Sequence, residues 1–227
     1  MKERKQVSES FLLCVILALV GGFLDAYTYV CRGGVFANAE TGNIVLMGIK
    51  LAKGEYTGAL YYLIPIFGFA LGVLVSEIIK KHFKYKTAFH WRQITVAVEI
   101  IVLLGISFVP STSTNNIFTN ALVALICSIQ VESFRQFSST PITTTMCTGN
   151  LRSATENLFI FLNKKDKKAL KTSMKYYSVI IFFIIGAALG AVTTNALNEK
   201  ATLVACAGLA VAFILMFINW EEKSKNK

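Results

Sequence analysis

Charge is what this chain has little of. Only 16% of its residues are Asp, Glu, Lys or Arg, where a soluble domain carries about 25%. That excludes an ordinary water-soluble globule with a charged shell. Histidine is nearly absent too. His82 and His90 lie in a basic stretch with no acidic or thiol companion, so no metal site is expected. The five cysteines (Cys14, Cys31, Cys127, Cys147, Cys206) form no C-x-x-C pair, and three lie inside apolar runs. They read as small apolar packing residues. There is no H-E-x-x-H and no nucleotide-binding glycine loop. Ser138, Ser139 and the Thr143–Thr145 run come with no readable base. Neither an enzyme nor a cofactor is expected.

What the chain has in abundance is apolar sequence. It is 54% hydrophobic, with a mean hydropathy of +0.56. The apolar residues fall in blocks close to the roughly 20 residues needed to cross a bilayer as helix. Six spans are read: Phe11–Cys31, Thr57–Ile79, Phe89–Val109, Asn116–Val131 (completed by Glu132–Phe137), Tyr176–Thr194 and Ala201–Trp220. The expected class is all-α, a polytopic membrane protein. A single membrane domain over residues 1–227 is expected, with short tails at 1–8 and 221–227. The N-terminal apolar run has no A-x-A-like site after it and continues to Tyr29, so it reads as a retained first helix rather than a signal peptide.

The net charge of +10 follows the membrane and not nucleic acid, since no basic-aromatic module accompanies it. With the N-terminus inside, nineteen of the 23 Lys and Arg fall on the inner side, and Arg32, Lys50, Lys53 and Lys200 outside. This bias is expected to place both termini in the cytoplasm. The basic face then meets anionic lipid headgroups.

The chain also repeats itself. Thr41-Gly42-Asn43 returns 107 positions later as Thr148-Gly149-Asn150, and at that offset Asp25 meets Glu132. Gly68-x-x-x-Gly72 has its counterpart in Gly186-x-x-x-Gly190, at an offset of 118. Repeat one covers 11–109 and repeat two 116–219. Three spans per half is an odd number, so the halves are expected to be inverted, as in many secondary transporters. The stretches around the two Thr-Gly-Asn motifs are small and apolar for loops. Thr41 and Thr148 are placed as N-caps of short helices. Two readings stand side by side: re-entrant segments lining a polar cavity, or surface loops with an interfacial helix.

The residues that carry a resemblance are Gly22-Phe23-Leu24-Asp25-Ala26, Gly34-Val35-Phe36 and Thr41-Gly42-Asn43, with Glu132-Ser133-Phe134-Arg135 and Thr144-Thr145-Met146-Cys147-Thr148-Gly149-Asn150 in the second half. Together they resemble the bacterial YoaK-like family over nearly the whole chain. The resemblance implies a six-span inner-membrane protein and supplies no substrate. One departure is visible: family members usually show an amide, as in Gln-Asn-Ala, where this chain has Val131-Glu132-Ser133.

Asp25, Glu99 and Glu132 are the intramembrane acids. An acid at mid-span costs about 2.5–3.5 kcal/mol on the insertion scale, so each is expected to face protein or water. Arg135 lies one helical turn from Glu132, and Arg32 seven residues from Asp25; both are candidate ion-pair partners. Asn43 and Asn150 open the short helices, where N–H groups can hold an anion. Asp25, Glu99, Glu132, Asn43, Asn150, Thr41 and Thr148 are therefore the candidate substrate- or ion-binding residues. The expectation is a common water-accessible cavity near the pseudo-twofold axis of a secondary transporter or channel-like protein for a small polar or ionic solute, with one of the acids as a candidate for proton coupling. The alternatives to ion or solute movement are purely structural ion pairs and, for the whole protein, a non-transporting sensor, chaperone or assembly factor. A homo-oligomer is compatible with either.

Overall fold

The computed structural model describes residues 10–83, 91–135, 137 and 140–217. Lys84, Lys86, His90, Ser138, Ser139, Trp220 and the two basic tails lie outside the described residues. Among those described there are eight α-helices and no strand. They are α1 (Phe11–Cys31), α2 (Glu40–Ala52), α3 (Tyr56–Phe83), α4 (Trp91–Ile106), α5 (Ser113–Ser133), α6 (Cys147–Lys164), α7 (Lys167–Leu197) and α8 (Thr202–Leu215), with a 3-10 turn at Asn198–Ala201.

Four stretches are long and apolar enough to cross a membrane: Phe11–Cys31, Tyr56–His82, Ser113–Ser133 and Lys167–Leu215, the last running through α7, the 3-10 turn and α8. Within the described residues α4 and α8 are shorter. Exposure fits a lipid solvent. Along α3, Leu60, Phe67, Leu71, Leu74 and Ile78 are each more than half exposed, and along α7 so are Ile181, Ile184, Leu189 and Val192. Such apolar faces on two long helices would be aggregation sites in water. The polar residues lie inside, on α1, α4 and α5.

Local chemistry sets the helix ends. Ser10 accepts from the Leu13 amide at 3.2 Å, and Thr112 accepts from the Asn115 amide at 3.3 Å; both are N-caps of 21-residue helices. α1 stops at two glycines, Gly33 and Gly34, with φ of 86° and 77°. Only glycine takes two such values in succession at little cost. They turn the chain back on itself.

The main helix pairs are α1 with α7, α3 with α5, α2 with α3, α6 with α7, α1 with α8, α4 with α5 and α4 with α8. Exchange α1 for α5, α2 for α6, α3 for α7 and α4 for α8, and this set maps onto itself. The glycine contacts do the same. A Cβ on Gly186 would fall 2.0 Å from the Leu19 carbonyl oxygen, and one on Gly190 2.5 Å from that of Phe23. In the other half Gly68 meets the Ala121 carbonyl at 2.5 Å and Gly72 that of Leu125 at 2.3 Å. The Gly-x-x-x-Gly pairs are thus close-approach faces, each packing a helix of one half against a helix of the other.

These contacts fix the register between the halves. Leu19 corresponds to Ala121 and Phe23 to Leu125, a shift of 102, which also carries Phe11–Cys31 onto Ser113–Ser133. The shift is 107 at the Thr-Gly-Asn motifs because the stretch 134–146 is five residues longer than 32–39. Asp25 therefore corresponds to Cys127, not to Glu132 as the sequence spacing suggested.

Helix directions follow from the ends. Arg32, after α1, bonds to carbonyls at the end of α4. Ser133, at the end of α5, is bonded by Arg92 at the start of α4. Along α4, then, α1 and α5 finish at opposite ends.

Candidate functional site

After Arg32 the chain doubles back along α1. The Asn38 amide donates to Asp25 Oδ1 at 2.6 Å, and the amides of Ala37 and Ala39 also act on this carboxyl. Asp25 lies seven residues before Arg32, about 10 Å along the helix at 1.5 Å per residue. Residues 33–39 therefore re-enter beside α1 and start α2 deep in the molecule.

Asn43 holds this break together. Its Oδ1 accepts from the Phe36 amide at 3.0 Å, and its Nδ2 donates to the Phe36 carbonyl and to Glu40 Oε2, both at 2.9 Å. Asn150 does the matching work in the second half, donating to the Thr143 carbonyl at 2.7 Å. Both asparagines are buried. The Thr-Gly-Asn motif is thus the staple of a broken helix, and its amides face the backbone.

The threonine caps of the sequence reading are corrected. The N-caps are Ala39 (φ −85°, ψ 61°) and Met146 (φ −90°, ψ 72°), and neither makes a side-chain cap bond. Thr41 and Thr148 sit inside the first turn, because the asparagine staple pulls the chain into helix two residues earlier. The glycines of the two motifs differ in surroundings. A Cβ on Gly42 would come within 2.8 Å of the Phe36 ring, whereas Gly149 has open space. Gly42→Ala is therefore expected to lower the unfolding midpoint in detergent, by overpacking worth about 1–3 kcal/mol. Gly149→Ala should leave it unchanged or raised. Equal midpoints for the two variants would refute the difference.

Asp25 is 5% exposed, and its Oδ2 has no hydrogen-bond partner. Asn38 Oδ1 and Glu40 Oε1 are also buried without one. Glu99, on α4, is 1% exposed; its Oε2 accepts from Gln130 Nε2 at 2.8 Å, and its Oε1 is unpartnered. Cys127, between them on α5, feels the charges of Glu99, Asp25 and Glu40. Two buried polar groups thus stand on either side of Cys127: Asp25, Asn38 and Glu40 at the break, and Glu99 with Gln130 between α4 and α5.

Arg32 does not pair with Asp25. The helix ends at Cys31, and the guanidinium turns to the far side: Nε donates to Tyr27 Oη at 2.7 Å, Nη1 to Asn116 Oδ1 at 3.3 Å, and Nη2 to the Ile106 and Val109 carbonyls at 3.2 and 2.9 Å. It is wholly buried, a clamp on the end of α4. Its own carbonyl accepts from Tyr61 Oη and Asn120 Nδ2. Nearby the Ser111 amide donates to Glu199 at 2.7 Å and holds that carboxyl below its usual range.

Glu132 stands apart from both groups. It is 5% exposed and paired with both Arg135 and Lys80, and Lys80 also meets Glu77 at 2.8 Å. With Arg92 on the Ser133 carbonyl at 3.0 Å, this network ties α3, α4 and α5 at the end opposite Arg32.

Of the sequence candidates, then, Asp25 and Glu99 lie on either side of Cys127 without bonding one another. Asn43 and Asn150 staple the breaks, Glu132 and Arg135 form an end network, and Arg32 clamps the other end. The two described cavities lie elsewhere. One is apolar, lined by Ile79, Ile94, Thr95, Val98, Ile126 and Ile129; the other is between the turns at 107–110 and 199–200. Sequence reasoning missed Asn38, Glu40 and Gln130. Asn38 and Glu40 flank the start of a short helix opposite a mid-span acid, a signal available only once the chain is seen to turn back.

No solved structure matches the chain. Among curated proteins it is 26% identical over 180 residues to the UPF0700 transmembrane protein YoaK of Bacillus subtilis (strain 168), covering 77% of this chain and 80% of that protein. The family model DUF1275, described as a protein of unknown function, matches residues 13–215. With nearly the whole helical body matched, this membrane protein belongs to the DUF1275 family, to which the YoaK-like resemblance pointed.

Proposed function

We propose that the chain is a secondary transporter for a small polar or ionic solute, built of six spans as two inverted three-helix repeats. The observation that carries this reading is the helix pairing that maps onto itself, with α1 and α5 ending at opposite ends of α4. Broken helices placed about an in-plane axis, with unsatisfied polar groups at the break, are the arrangement secondary transporters use. Buried acids inside a bilayer mark ion and substrate pathways, and Asp25 and Glu99 have no basic partner among the bonds described. The Arg32 clamp and the Glu132 network tie the helices at the two ends. No catalytic step is part of this reading, and lipid is the surrounding partner.

Orientation follows the basic residues. Both termini lie in the cytoplasm of a bacterial inner membrane, with the Glu132 network inward and Arg32 outward. In a cysteine-free background, single cysteines at Lys53 and Lys200 should react with an impermeant maleimide in intact cells, and one at Lys84 only after lysis. Labelling of Lys84 in intact cells would reverse the topology.

Transport is tested by flux. Full-length protein in liposomes should move at least one solute of a panel of amino acids, sugars, inorganic anions and polyamines, and an imposed cation gradient should drive it. Monodisperse, folded protein that moves none of them would remove the transporter reading in favour of a non-transporting membrane factor.

A further inference from the structure

The two broken helices are built alike, but they are not charged alike. Under the register of the helix contacts Asp25 corresponds to Cys127, and under the shift of 107 at the Thr-Gly-Asn motifs Asn38 corresponds to Thr145 and Glu40 to Cys147. The second half makes the same backbone break, with matching N-cap dihedrals and the same asparagine staple. It does so with two thiols and a hydroxyl. The acids of the first half are therefore not needed to build the break, which a purely structural role would require.

They also leave a defined electrostatic deficit. The charge of Asp25 reaches the Glu40 carboxyl. The Asn38 side chain lies against the Asp25 carboxyl and the Cys127 thiol. The group facing them from α5 is the Cys127 thiol, with Glu99 of α4 beyond it, and neither is basic. Arg32, the nearest arginine in sequence, is engaged at the end of α4. A carboxylate buried without a counter-charge is unfavourable by several kcal/mol. The unpartnered atoms at the break are all oxygens: Asp25 Oδ2, Asn38 Oδ1 and Glu40 Oε1. Asn38 is 7% exposed and its oxygen cannot be satisfied by its own protonation.

We propose that Asp25, Asn38 and Glu40 bind one sodium-sized monovalent cation in the break between α1 and α2. Carboxylate and amide oxygens suit a hard cation. Among the described residues there is no cluster of three His, Cys, Asp or Glu that would hold a divalent or soft metal. The Asp25 carboxylate is oriented by the Asn38 amide on Oδ1, which leaves Oδ2 for the ion. As the coupling ion of the transporter proposed above, the cation rests on that reading; its binding is a separate measurement.

The test is equilibrium binding of 22Na+ to full-length protein in nanodiscs, with unfolding temperature measured against NaCl and choline chloride. One saturable site per chain is expected, with a Na+-specific rise in unfolding temperature. Asp25→Asn should abolish both, and Glu40→Gln should weaken binding by at least about tenfold. Glu156→Gln, on an exposed pair with Arg152, should bind as the wild type does. The triple variant Asp25→Cys, Asn38→Thr, Glu40→Cys copies the second half, so it should fold under reducing conditions and bind no Na+. Wild-type protein without saturable 22Na+ binding overturns the proposal. So does undiminished binding in Asp25→Asn, or a stabilisation that follows pH and ignores Na+, which would assign the site to protons. Na+ binding without solute flux would remove the transporter and keep the site; flux without Na+ binding would do the reverse.

Discussion

Arg32→Lys should abolish recovery of monodisperse protein or lower its unfolding midpoint steeply, despite keeping the charge. The wholly buried guanidinium serves four acceptors on three elements: Tyr27 Oη, Asn116 Oδ1 and the Ile106 and Val109 carbonyls. Lysine has one nitrogen at the end of a flexible stem and cannot reproduce that fork. The substitution leaves buried acceptors unpaired around a misplaced charge, and breaking such an arrangement costs about 3–5 kcal/mol. Size-exclusion of the heated, detergent-solubilised protein measures it. Arg152→Lys on the exposed α6 pair is the control and should leave the unfolding midpoint essentially unchanged. If both variants behave alike, Arg32 is not the clamp described.

Gly186→Ala should also be damaging, by sterics alone. The added Cβ would lie 2.0 Å from the Leu19 carbonyl oxygen and 2.7 Å from its carbon. Both are backbone atoms of a packed helix and cannot swing aside. α1 and α7 must separate, and overpacking of this kind costs about 1–3 kcal/mol or more. Gly48→Ala is the counter-experiment. Its Cβ meets nothing within 4 Å, on an exposed face of α2, and alanine there should gain up to about 1 kcal/mol from helix propensity. A Gly186→Ala protein that unfolds no earlier than wild type would mean that α1 and α7 are not in close contact.

Those two positions were unequally legible in the sequence. The glycine faces could be read because the spacing recurs and close approach is what small residues at i and i+4 supply. The bounds of α1 could be read because a serine cap precedes an unbroken apolar run. The role of Arg32 was not legible because three of its four acceptors lie 74 to 84 residues away, where no local pattern points. The match of Asp25 to Glu132 failed because the second connection is five residues longer, which shifts a motif-based alignment away from the helix register. Asn38 and Glu40 carry no repeating signal of their own: the motif that recurs is Thr-Gly-Asn, whose asparagines staple backbone, while the unsatisfied oxygens stand just before it.

The crossed pairing of α1 with α7 and α3 with α5 bears on how the protein is made. A ribosome that has delivered residues up to about 110 has released two long helices whose glycine faces await helices not yet synthesised. Neither half is then a folding unit, and the first half must wait in lipid, or with an insertase, until α5 and α7 arrive. Cutting the gene between α4 and α5 should give two fragments that are each degraded alone and accumulate when co-expressed. A nonsense mutation in the second half should therefore cost the cell the first half as well.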